Sequence, residues 1–85
     1  MEDFSKKIED VEAIIEKIIS NPEELPWYMS VEQLKMIVNE LNKMNQIRDK
    51  RQFMPYYPRG IADCWDFNDN LGNELLKVLD YYMKL

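Results

Sequence analysis

The chain has 85 residues, of which 46% are hydrophobic, 12% aromatic and 32% charged, with a formal net charge of −5 and no histidine. A chain of this length supports one hydrophobic core, so residues 1–85 are read as a single helical domain, and the scarcity of glycine and proline marks a packed protein rather than a disordered tail. The acidic balance argues against a general binder of DNA or of anionic membranes, since phosphate contacts need clustered lysine and arginine. It favours a basic partner.

Cys64 is the single cysteine, which rules out an internal disulfide and fits a reducing compartment. Met1-Glu2-Asp3 lacks the positive n-region of a secretory signal, and no apolar run approaches the roughly 18 to 20 residues that span a bilayer. The expected location is the cytoplasm, away from membranes.

Phe4, Ile8, Val11, Ile15 and Ile18 recur at steps of four and three, with Ile14 and Ile19 widening the stripe, which predicts an amphipathic helix over 4–19. Glu9, Glu12, Glu16 and Lys17 take its wet face. Ser20-Asn21-Pro22 ends it, because the residue before proline is pushed out of the α region, and Pro22 can open one extra turn. Ser30-Val31-Glu32-Gln33 has the form of a capping box. The helix that it opens carries Leu34, Ile37, Val38, Leu41 and Met44 inward and ends near Ile47, with Lys35, Asn39, Asn42 and Lys43 facing water.

Residues 48–60 break the pattern with Pro55, Pro58 and Gly60 and hold all three arginines of the chain. This stretch carries +3 (Arg48, Lys50, Arg51 and Arg59 against Asp49), whereas 1–47 carry −5 and 61–85 carry −3. It is expected to be an irregular connection, with room for one helical turn within 52–57. A last helix follows on Leu71, Leu75, Val78 or Leu79, and Tyr82, starting near residue 67 with Asp66 or Asn68 as cap and Asp69 by the positive helix end. Ile61, Cys64 and Trp65 also fit its spacing, so its start is open. Amphipathic helices of this length must pack on one another. The expected fold is all-α: a three- to four-helix bundle with two long antiparallel helices, an irregular 48–60 connection and a C-terminal helix, with Trp27 and Trp65 plugging its ends.

No reading of the chain assembles a catalytic, metal or cofactor site. Cys64 has no histidine to act as its base and reads as a small core residue. Asp66-Phe67-Asn68-Asp69-Asn70 begins like a calcium loop, but Leu71 stands where glycine is needed and Lys77 where a bidentate glutamate is needed. The acids elsewhere lie on regularly solvated helix faces.

Two stretches suit binding. Arg48, Lys50, Arg51 and Arg59, interleaved with Phe53, Tyr56 and Tyr57, have the ingredients of single-stranded nucleic-acid binding, although the small net charge and acidic flanks favour local charge neutralisation. Tyr56-Tyr57-Pro58 places two adjacent tyrosines in a proline-bounded segment, where both cannot easily point inward. The exposed one suits a protein interface. Self-association to a homodimer through Met54, Tyr82 and Met83 is the other option.

The order of features resembles the small immunity proteins that neutralise nuclease colicins and pyocins. The likeness covers most of the chain in outline and is concentrated in Ser30, Leu34, Ile37, Val38, Leu41 and Met44 and in Tyr56-Tyr57-Pro58. It departs from the family in mixing Lys35 and Lys43 into the second helix and in Phe53-Met54-Pro55 before the tyrosines. The resemblance implies a non-enzymatic inhibitor of a basic toxin domain. Tyr56, Tyr57 and Pro58 would be its anchor, and Glu32, Asn39 and Glu40 would choose the partner.

Overall fold

In the computed structural model, which describes residues 4–85, the stripe of Phe4, Ile8, Val11 and Ile15 is buried along one side of α1 (Phe4–Ile19). Met1-Glu2-Asp3, the segment without a signal n-region, lies outside the described residues. The Ser20 hydroxyl donates to Lys17 O at 2.6 Å where α1 ends. A 3-10 turn, η1 (Pro22–Glu24), then starts on Pro22 as expected, with no side-chain bond from Asn21.

Ser30 caps α2 (Val31–Ile47), its hydroxyl accepting from Gln33 N at 3.1 Å. Leu34, Ile37, Leu41 and Met44 are buried. The helix closes on Arg48 in the left-handed region (φ 52°), whose N–H donates to Met44 O at 2.9 Å. That backbone costs a non-glycine residue about 1 kcal/mol. The side chain offsets the cost: Nε donates to Asn45 O at 2.9 Å and Nη2 to Asn45 Oδ1 at 2.7 Å and to Ser5 Oγ.

The 48–60 stretch is irregular only as far as Tyr56, because α3 (Tyr57–Cys64) begins inside it. Pro58 reads as a breaker in a linear scan. It occupies the first turn of α3, where its missing N–H would have had no helical partner anyway. The last helix, α4 (Asn70–Met83), starts three residues later than expected. Asp69, not Asp66 or Asn68, is its cap, with Oδ1 accepting from Gly72 N at 2.9 Å. Asp66 instead accepts from Asn68 N to shape the preceding turn. Ile61, Cys64 and Trp65 belong to α3 and its C-terminal cap.

The result is an all-α bundle in which α1 packs against both α2 and α4, and α3 packs against α4. Ser5 meets Asn45, and Phe4 stacks on Tyr82 at 6.0 Å, so α2 and α4 both run antiparallel to α1. At Gly72 the end of α3 comes close to α4: a Cβ there would stand 3.2 Å from Trp65 Cε3 and 3.5 Å from Ile61 Cγ2. No helix among the described residues is long and apolar enough to cross a membrane.

Four placements differ from expectation. Trp65 is buried, but Trp27 is 89% exposed, because Tyr28 beside it takes the inward position against Trp65. Cys64 is exposed, since α3 turns Tyr57, Ile61 and Trp65 inward at steps of four and leaves Cys64 beside that row. Tyr82 is buried among the helices, so it is not available for self-association, while Met54 and Met83 are exposed. Glu12 is half-buried rather than wet, and its Oε1 is buried without a hydrogen-bond partner.

Burial, followed by the charges of Glu16 and Glu9, raises the Glu12 carboxyl above its usual range. The folded chain therefore holds this proton to a higher pH than the unfolded chain, so the group's stabilising contribution is present at low pH and is lost as pH rises past the ordinary carboxylate range. Glu12→Gln should raise the urea midpoint at neutral pH, and the gain should vanish at about pH 3, where both forms are protonated. Gly60→Ala should also stabilise the fold, by about 0.5 to 1 kcal/mol. Its new Cβ would meet Gln33 Nε2 at an ordinary 3.8 Å, and Gly60 has no positive φ; urea unfolding measures the gain.

Candidate functional site

The first N–H groups of any helix lack partners within it. At α3 they are met from α2: Glu40 Oε2 accepts from Tyr56 N at 2.5 Å and Oε1 from Tyr57 N at 3.0 Å. A carboxylate is favourable there because the helix dipole places its positive end at the same point. Successive residues of a helix point about 100° apart, so with the backbone held in this way only one tyrosine can enter the core. Tyr57 is that one: it is 5% exposed and its hydroxyl donates to Leu75 O of α4 at 2.9 Å. Burial, with the Glu40 charge second, pushes its phenol upward, so it stays protonated and keeps donating. Tyr56 is 84% exposed.

Gln33 and Glu40 lie one above the other on α2, and α3 runs back along them, with Gly60 beside the Gln33 amide. Met36 belongs to the same row and is 69% exposed. Glu32 and Asn39 are exposed on the adjoining row, while Glu40 is half-buried. Lys43 Nζ stands 5.7 Å from the ring centroid of the half-buried Phe53, and Met54 is exposed next in the chain. The corner between α2 and α3 thus presents Tyr56 and Met36 among Glu32, Asn39 and Lys43. It offers apolar contact and hydrogen bonds to a partner, and among the described residues no group of three or more His, Cys, Asp or Glu gathers to hold a metal.

Of the residues expected to touch a partner, Tyr56, Glu32 and Asn39 are on this surface. Tyr57 is in the core, Pro58 opens α3, and Glu40 spends both oxygens on the backbone. Met36 was not among them; its signal in the sequence is a large apolar residue on the face otherwise occupied by Lys35, Asn39 and Lys43.

The basic residues are dispersed rather than gathered. Arg48 closes α2 against Ser5, and Lys50 Nζ donates to Met83 O at the end of α4, at 3.0 Å. Arg51 turns onto Asp49, its N–H 2.9 Å and its Nε 3.5 Å from Oδ1. Those contacts, led by the Arg51 backbone N–H, lower the Asp49 carboxyl. Arg59 is exposed on α3.

No protein-family model matches the chain, and neither a curated protein nor a solved structure does. The likeness to the immunity proteins rests on the residues quoted for it.

Glu40→Ala should leave two N–H groups without their acceptor and cost about 1 to 2 kcal/mol of stability, with Glu40→Gln, which keeps one acceptor oxygen, in between. Urea unfolding followed by circular dichroism checks the order.

Proposed function

We propose that this chain is a non-enzymatic protein-binding module of the immunity-inhibitor type, acting in the cytoplasm on a basic nuclease toxin domain through the corner between α2 and α3. The observation that carries the reading is Tyr56: a large aromatic side chain, 84% exposed, on backbone fixed by Glu40 and next to the exposed row of Met36. A ring held this way loses little conformational entropy on binding, which is how tyrosine serves as an anchor. The net charge of −5 supports attraction to a basic partner at long range.

A nucleic-acid reading has less support, because Arg48, Lys50 and Arg51 are each engaged locally and Phe53 and Tyr57 are turned inward. Base stacking needs open rings beside free cations.

The test is a panel of bacteriocin nuclease domains titrated with the chain, with affinity from calorimetry and inhibition from DNA or RNA cleavage. One domain should be bound and inhibited. Tyr56→Ala should weaken that complex by at least about tenfold, and the double change with Met36→Ala by about a hundredfold, at unchanged helicity. Full affinity in the double variant would place the contact elsewhere, and a panel with no bound member would remove the inhibitor class.

A further inference from the structure

At the opposite side of the molecule from the Arg48 cap, the loop before α2 and the loop before α4 are locked together. The Tyr28 hydroxyl donates to Asp69 Oδ2 at 2.5 Å, and the Tyr28 ring lies 5.9 Å from that of Trp65. The hydrogen bond to Asp69, followed by burial and the nearby carboxylate charges, pushes the phenol up to about 12, so the tether keeps its proton across the physiological range. Close to this tether in the chain two large rings face solvent: Trp27, edge-on to Tyr28 at 5.6 Å, is 89% exposed, and Phe67, two residues before Asp69, is 85% exposed. Neither contributes to the core.

A cleft of about 360 Å³, lined by Pro26, the residue before Trp27, and by Asp69, two residues after Phe67, opens between the end of α1, the loop before α2 and the start of α4. Ile14, Ile18, Met29 and Leu71 supply its apolar lining, with Glu24 and Asp69 as its acids and Lys17 as its one cation. It is at the small end of sites that take a ligand. The surroundings are acidic. Between Ser20 and Ser30 the chain has Glu23 and Glu24 and no lysine or arginine, and between Gly60 and Asn73 it has Asp63, Asp66 and Asp69 and again none.

We propose that this end of the bundle docks a basic peptide segment of a second protein, whose apolar side chain enters the cleft while its arginines or lysines lie against Trp27 and Phe67. Exposed rings attract cations over their faces, most of all guanidinium, and carboxylates around the rings add to that attraction. The same carboxylates repel a nucleic acid or an anionic lipid surface. The loops need no reordering to receive the segment, since Tyr28 and the Asp69 cap already hold them. This surface shares no residue with the corner that carries Tyr56, and it stands or falls apart from it.

The probe is an acetylated, amidated peptide of two leucines flanked on each side by two arginines, titrated at low salt against the isotope-labelled chain. Two counterparts carry glutamate for arginine and glycine for leucine. Amide shifts should centre on Trp27, Phe67 and the cleft residues, and affinity should fall as salt is added. Each counterpart should bind at least about fivefold more weakly, and Trp27→Ala with Phe67→Ala should weaken the arginine peptide by about tenfold, while Tyr56→Ala changes nothing. Glu24→Lys with Asp63→Lys, both exposed and, among the described residues, without a structural hydrogen bond to their side chains, should weaken it to a similar degree.

Absence of shifts at millimolar arginine peptide, equal binding of the glutamate peptide, or shifts centred on α2 would overturn the proposal. So would covering of Trp27 by phosphatidylcholine vesicles in place of the peptide, or a concentration-dependent dimer that Trp27→Ala abolishes, which would assign this end to a membrane or to a second copy.

Discussion

The carboxylate of Glu40 governs the half of the molecule that the long helices leave undefined. By accepting from two successive N–H groups it fixes where α3 begins, and by fixing the backbone it decides which of two adjacent tyrosines turns inward. Tyr57 then closes the contact to α4 through Leu75 O, while Tyr56 is left outside on a rigid base. A single acid on α2 thereby sets the start of a helix, a core aromatic and an exposed one.

Tyrosine recurs as the joint between helices and irregular chain. Tyr28 holds the loop before α2 to the cap of α4. Tyr57 ties α3 to α4. The Tyr82 hydroxyl, 2.6 Å from Phe53 O and 3.0 Å from Asp49 O, shares its proton between two carbonyls of the turn that follows α2. In each case the ring packs on its neighbours and the polar tip meets an oxygen that an aliphatic side chain would leave unmet. A small bundle gains from this economy, because one side chain contributes apolar contact and also orders a loop.

Two surfaces of different character result. The corner of α2 and α3 mixes charges of both signs around Tyr56 and Met36, so specificity there would come from shape and hydrogen bonds. The other end, around Trp27 and Phe67, is acidic and ring-bearing, so selection there would be by charge. Three basic residues of the middle segment serve the fold: Arg48 closes α2, Lys50 meets the last turn of α4 and Arg51 steadies its own turn.

The long helices were legible because their pattern is local. Alternating steps of three and four from Phe4 to Ile15 and from Leu34 to Met44 define an apolar side wherever the chain folds, and Ser30 marks its boundary with its own side chain. α3 was not legible, since its first N–H groups are satisfied by Glu40, 16 and 17 residues away, and a linear scan sees only Pro58 as a break. Asp66, Asn68 and Asp69 are all competent caps, and the close approach of Trp65 to Gly72 accompanies the choice of Asp69. Trp27 and Tyr28 are both large aromatics, and only the position of Trp65 and Asp69 across the fold turns Tyr28 in and Trp27 out. The sequence by itself determined a small acidic helical bundle with a basic, tyrosine-bearing middle. Which tyrosine, tryptophan and glutamate remain exposed was decided only in the tertiary structure, because exposure depends on what the far parts of the chain have already covered.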